Sequence, residues 1–461
     1  MRISQFSEIG VSAIAVIASA GLASPAFAQD ADAAAVQAEL QQMRAQMQAM
    51  ASRIDTLEAQ LETANAKADA AAETSSTALA TAEAAKSETK ISWKGAPEIE
   101  TKSGWSFKPR GRLQYDAGVI SAPDMEKDID DGFGNEARRV RLGVQGDMPG
   151  GFSYKFEADF AKSEIEIADA FIGYEDGGLK LAIGHQNNFQ SLEELTSSLN
   201  ISFMERAAFT DAFGFERRVG ASAAYKAGDL LVQGGVFTAN IHETGENKQW
   251  GADGRVVFAP KTGNTQLHFG GSLHYTDLDG DVSSVSYSQR PFVHFTSTKF
   301  IKASVAGASE ETGYGLEAAA IRGPLHFSGE AHWQSVSRPG LADPTFFGAS
   351  AEVGYFLTRG DTRGYKNGIF DRVKPANPVD KGGMGALQVN LRYDRLDLND
   401  AGIVGGTQDG YALSLIWMPT NYTRFMVNYG RMEYSDAVIA TAGDATSYGV
   451  DAFGARAQID F

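Results

Sequence analysis

Arg139 and Arg141 stand two residues apart, with Arg138 beside them. A guanidinium is permanently charged and offers a planar fork of N–H donors that matches the oxygens of phosphate or carboxylate. On an extended chain, residues two apart project to the same side. The same alternation puts Arg112, Lys155, Lys180, Arg218, Arg255, Arg392, Arg424 and Arg456 on an inward face. They mix there with the acids Asp116, Glu157, Asp159, Asp253, Glu330, Asp394 and Asp460. The chemistry this pattern predicts is reversible, non-covalent passage of anions along a wall of mixed charge. Several weak sites serve such passage better than one tight one, because an ion must also leave. Arg139 and Arg141 also have a second reading, in which they only neutralise Glu157 and Asp159 on the adjoining strand.

Other chemistries find little support. His268, His274, His326 and His332 fall on the inward face, but on two strands separated by another, whereas metal ligands must converge at about 2 Å. No metal and no cofactor is expected. The chain has no Gly-x-Ser-x-Gly elbow, phosphate loop or dinucleotide fingerprint, so no enzymatic activity is expected. It has no cysteine, hence neither disulfides nor thiolate metal sites. A formal net charge of −17 and a pI of about 4.9 argue against nucleic acid as a partner.

Strands of period two must carry these side chains. In residues 151–161, Phe152, Tyr154, Phe156, Ala158 and Phe160 share one face, while Ser153, Lys155, Glu157 and Asp159 share the other. Tight turns near 149–151, 176–178, 227–229, 260–264, 323–324 and 419–421 alternate with longer polar connections. That pattern predicts an all-β transmembrane barrel of about sixteen antiparallel strands over residues 105–461. The even count requires residues 289–301 to belong to a long loop, and one connection, 359–383, is long where a short turn is expected. The third loop, 186–215, carries Glu193, Glu194, Glu205 and Asp211 against Arg206 alone. Loop five offers Arg290, His294, Lys299 and Lys302, which would make a constriction more basic if they fold inward.

Ahead of the strands, residues 1–28 read as a secretory signal peptide: Arg2, an apolar run from Ile9 to Leu22, and Ala26-Phe27-Ala28 as the cleavage site. Residues 29–93 read as an α-helical coiled coil. Val36, Leu40, Met43, Met47, Met50, Ile54, Leu57 and Leu61 are spaced alternately four and three, a seam that continues in alanine. Self-association is its expected role. Gly95, Pro97 and Gly104 mark residues 94–104 as a linker.

Several stretches resemble the phosphate-selective porins O and P. They are Phe107 to Asp116, Pro149 to Ala161, Ser191 to Ser198 with Phe203 to Arg206, Gly354 to Thr358, Arg372 to Val379, Arg392 to Leu398 and the closing strand. That strand ends on Phe461, which resembles the signal read by outer-membrane assembly machinery. The resemblance implies a trimeric porin in outer-membrane lipid whose third loop folds inward and narrows the lumen. It implies diffusion of small hydrophilic solutes, with inorganic anions such as phosphate expected. The third loop departs from the phosphate-binding members in having no lysine. Two other readings stay open: a general or weakly cation-preferring porin, and a coiled-coil envelope tether anchored by a barrel. The helix is expected in the periplasm.

Overall fold

The computed structural model describes residues 31–243, 248–280 and 284–461, so the signal-peptide reading lies outside the described residues. By contacts the chain divides after Ala85 into two units. The helix α1 (Ala31–Glu88), 58 residues long, makes up the described part of the first as far as Ala85.

The second unit is a closed barrel of sixteen antiparallel strands. Its first half comprises β1 (Ser106–Ser121), β2 (Gly132–Met148), β3 (Phe152–Asp159), β4 (Glu166–Asp176), β5 (Leu179–Asn187), β6 (Arg217–Ala227), β7 (Leu230–Phe237) and β8 (Trp250–Phe258). The second half comprises β9 (Thr265–Asp277), β10 (Glu310–Arg322), β11 (Leu325–Ser337), β12 (Thr345–Phe356), β13 (Ala386–Asp400), β14 (Ile403–Met418), β15 (Thr423–Ser435) and β16 (Tyr448–Asp460). Each strand pairs with its successor, and β16 returns to β1 with Asp460 opposite Arg112 and Asp451 opposite Ser121. Beyond the last strand, Phe461 and Gly111 exchange backbone hydrogen bonds of 3.0 and 3.1 Å, and the Phe461 ring lies where a side chain at 111 would stand.

The alternation that makes these strands is inverted relative to a water-soluble protein. Along β1, Arg112, Gln114 and Asp116 are 8%, 0% and 0% exposed, whereas Leu113 and Tyr115 are 44% and 47% exposed. A continuous apolar exterior of this kind would aggregate in water and is stable against hydrocarbon. The strand count matches the sequence reading of about sixteen over residues 105–461.

Residues 94–104 do not form a plain linker. Thr89–Trp93 and Pro97–Thr101 make a hairpin, and its second strand adds to β1 through Ile99 opposite Phe107. The hairpin tip is packed: Ala96 is buried, and a Cβ at Gly95 would lie 2.5 Å from the Tyr422 ring.

Three connections fold into the barrel. Loop three (residues 188–216) carries two short helices, α2 (Leu192–Leu195) and α3 (Ala208–Ala212). Loop five (residues 278–309) carries a hairpin of Ser284–Ser288 and Lys302–Ala306. The long connection at the short-turn end, residues 357–385, carries another, Gly364–Lys366 with Ile369–Asp371. Apolar side chains of loops three and five, among them Phe203, Phe209, Phe213, Phe292 and Phe300, form one buried cluster inside the wall. Glycines in the wall make room for it. A Cβ at Gly134 would lie 2.3 Å from the Phe295 ring, and one at Gly430 would lie 2.7 Å from that of Phe292. From the other end, Phe370 packs with Leu192, Ala319 and Ile321, and its N–H donates to Thr196 Oγ1 at 3.3 Å. On the β8–β16 side these connections pack against the wall, leaving a cavity of about 750 Å³ at the short-turn mouth beside residues 355–365, and the arginine-lined open space lies along β1–β6.

Candidate ion path

Two cavities stand end to end in that open space. The one nearer the short turns has a volume of about 370 Å³, and the one nearer the long loops about 340 Å³. Arg139, Arg141, Glu194, Arg206 and Arg217 line both and so form the eyelet between them. The wall side comes from the strands, and the facing side from loop three.

Two β-bulges set the wall. Gln114 opposes Arg139 and Tyr115 opposes Ala137, so Arg138 is an extra residue in β2. A bulge shifts the phase of the alternation, which is how Arg138, Arg139 and Arg141 all come to line the cavities. In β4, Ala168 is likewise extra, because Glu157 opposes Asp169 and Ala158 opposes Ile167.

The arginines divide by what they touch. Arg141 pairs with Asp159 at 2.7 Å and Glu157 at 3.1 Å. Lys155 and Arg217 share Asp169, at 2.5 and 2.8 Å. By contrast, Arg139 donates to the neutral amide oxygen of Gln114 at 3.0 Å, and Arg112 donates to Ser198 Oγ at 2.7 Å. Among the described residues neither makes an ion pair, and both are more than nine-tenths buried. Of the two readings of Arg139 and Arg141, charge neutralisation fits Arg141 only.

Other predicted residues do different work. Arg424 donates to the carbonyls of Leu199 and Ile201 at 2.8 and 2.5 Å. Arg456 holds Asp116 at 2.7 Å, the Met204 carbonyl at 2.7 Å and Glu205 at 2.9 Å. Arg392 donates to the carbonyls of Glu205 and Arg206 at 3.1 and 3.4 Å. These three bind loop three to the wall and line neither cavity, which corrects their reading as parts of the path. Arg218 is also off it, donating to Thr276 Oγ1 at 2.8 Å within a packed network that includes His274 and Asp253. Lys180 is an exposed partner of Glu175 at the short-turn end.

Loop three keeps most of its acidity toward the path: Glu194, Glu205, Asp211 and Glu216 line the loop-end cavity. Burial pushes the Glu205 carboxyl up, but the guanidiniums of Arg138, Arg456 and Arg139 more than reverse this and hold it well below the usual carboxylate range. Glu193 accepts the Ala207 N–H at 3.0 Å and lines neither cavity. Arg206 pairs with Glu194 at 3.2 Å and donates to three loop carbonyls, so it ties loop three to itself. From loop five, Arg290 and His294 line the loop-end cavity, and His294 is fixed by Glu136 at 2.9 Å. Lys299 lies 3.6 Å from Asp211, and Lys302 is exposed on its hairpin, so neither reaches the eyelet.

The alternation missed Arg110 and Arg217. Arg110 shares the parity of Arg112 and could have been found by it. Arg217 is the first residue of β6, where strand alternation does not yet constrain the side chain. With them, the turn-end cavity is lined by seven cations (Arg110, Arg112, Arg139, Arg141, Lys155, Arg206, Arg217) against three carboxylates (Glu157, Asp169, Glu194). The loop-end cavity has six of each sign. The four inward histidines are buried on the β8–β16 side, and the described residues contain no cluster of metal-ligating type.

A closed barrel with an apolar exterior, loops folded inside and a charged path beside them is an outer-membrane channel. The chain belongs to the phosphate-selective porin O and P family, whose sequence profile matches residues 107–461. It is therefore an outer-membrane porin. It is 45% identical over 388 residues to an uncharacterised protein of Caulobacter vibrioides, covering 82% of this chain and 78% of that one. Among solved structures it is similar in fold to OmpT of Vibrio cholerae, with a TM-score of 0.50 at 13% identity, covering 81% of this chain and all of the other.

Proposed function

We propose that this porin passes small anions, phosphate among them, between the β1–β6 wall and loop three. The observation that carries this reading is the pair of buried guanidiniums, Arg112 and Arg139, that form no direct ion pair among the described residues. A charge held in a low-dielectric wall exerts a stronger field than one in water, and a passing anion can meet it. Arg110, Arg141, Lys155 and Arg217 extend the positive stretch, with Arg141, Lys155 and Arg217 already sharing carboxylates. Inorganic phosphate and chloride fit such a path, and the family description favours phosphate.

Three copies would form the working unit, with the apolar exterior against outer-membrane lipid and Phe461 presented to the assembly machinery. Residue 106 starts at the short-turn end, which faces the periplasm in barrels of this kind, so the N-terminal helix belongs to the periplasm.

The test is the reversal potential of single channels in a potassium chloride gradient, repeated with phosphate added. Anion preference together with reduced chloride current in phosphate is the expected result. Cation preference would refute the reading, and absence of any channel would favour a tether.

A further inference from the structure

The helix α1 carries its eight largest seam residues, Val36 to Leu61, uncovered: each is 46–62% exposed within one chain. In heptad terms Leu40, Met47, Ile54 and Leu61 take the a positions, and Val36, Met43, Met50 and Leu57 take the d positions. The flanking g and e positions carry Glu39 and Arg44, then Arg53 and Glu58. In parallel, in-register helices a g residue meets the e residue five positions further along its neighbour. Glu39 then meets Arg44 of the next copy, and Arg53 meets Glu58 of the next copy. The intervening contacts, Gln46 with Ala51 and Gln60 with Asn65, are neutral. No like charges meet over residues 39–65.

We infer that the seam is covered by the same seam of other copies of this chain, parallel and in register, with Glu39–Arg44 and Arg53–Glu58 contacts fixing that register. This rests on the self-association reading above and specifies its direction and pairing. A seam of large apolar residues supplies the attraction but tolerates slippage by a heptad. The two opposite-signed g–e contacts do not, because a slip of one heptad sets Glu39 against Ala51 and Arg53 against Asn65.

The chain has no cysteine, so single cysteines report on the seam without background. In the full mature protein, Met43→Cys and Leu57→Cys should each oxidise to a covalent pair of chains. Ala45→Cys and Ala59→Cys, on the outward f positions, should not. An antiparallel pair brings only the position on its dyad to its own copy, so cross-linking at 43 or 57 but not both would overturn the inference. Equal cross-linking on the outward positions, or none on the seam, would overturn it as well.

Glu58→Arg, placed in the Met43→Cys background, puts Arg against Arg and should slow cross-linking roughly threefold or more. Adding Arg53→Glu should restore it, and indifference to both changes would refute the register role. Conductance measured on the same samples tests the anion reading separately.

Discussion

Arg139 and Arg141 are neighbours in one strand and behave differently because of what stands opposite them. Arg141 lies between two carboxylates and Arg139 lies against an amide. Replacing Arg139 by Gln should therefore lower the anion-to-cation permeability ratio by a factor of about three or more, one unit of charge being removed from the eyelet. The barrel should keep its thermal stability. Arg112→Gln should behave alike. Arg141→Gln should also cut anion preference, but it removes the ion pairs to Glu157 and Asp159, at a cost of roughly 3 kcal/mol or more. The check is to measure reversal potential and the melting temperature of the folded barrel on the same three variants. Equal stability losses in all three would contradict the division.

At the scale of elements, the strands were legible and the loops were not. Period-two alternation gave the barrel, because one face of every strand is forced to be apolar. It also gave the inward face of Arg392, Arg424 and Arg456. What it could not give is depth, or which loop atoms would come to meet those side chains. Those contacts join residues some 190 to 250 positions apart, such as Arg392 with Glu205 and Arg456 with Met204, and loops carry no periodicity to read. The bulge at Arg138 was hidden for a related reason, since one inserted residue looks locally like continued alternation.

The inward glycines are the other element-scale device. Gly430→Val should displace Phe292, whose ring lies 2.7 Å from the position of the new Cβ and lines the loop-end cavity. A β-branched residue suits the strand itself, so the barrel should form while loop five is pushed off the wall. Single-channel conductance should fall, because a ring pushed off β15 moves toward the open β1–β6 side. An unchanged conductance in a folded variant would show that loop five does not narrow the path.

The molecule as a whole is electrically lopsided along its axis: balanced in the loop-end cavity, strongly positive in the turn-end one. Anions entering from the loop end move toward rising positive potential, and those entering from the turn end meet it at once. Channels inserted in one known orientation should pass unequal currents at equal and opposite voltages in dilute salt. The inequality should fade in concentrated salt as the Debye length shrinks. Linear, symmetric currents at low salt would count against the charge asymmetry. This feature was outside the reach of sequence reasoning, because it depends on Arg110 and Arg217 joining the path and on Arg392, Arg424 and Arg456 leaving it.

The loops packed inside the lumen also separate two properties that a simple cylinder would tie together. Sixteen strands fix the circumference of the scaffold, but the exclusion limit is fixed by how much of the bore loops three and five and the 357–385 connection occupy. A sieve built this way can be made coarser or finer by trimming or lengthening a loop, without altering any barrel strand. Changes confined to the 357–385 connection, which lines neither cavity of the path, leave the eyelet charges in place, whereas trimming loop three removes Glu194 and Arg206 and shifts size cut-off and charge preference together.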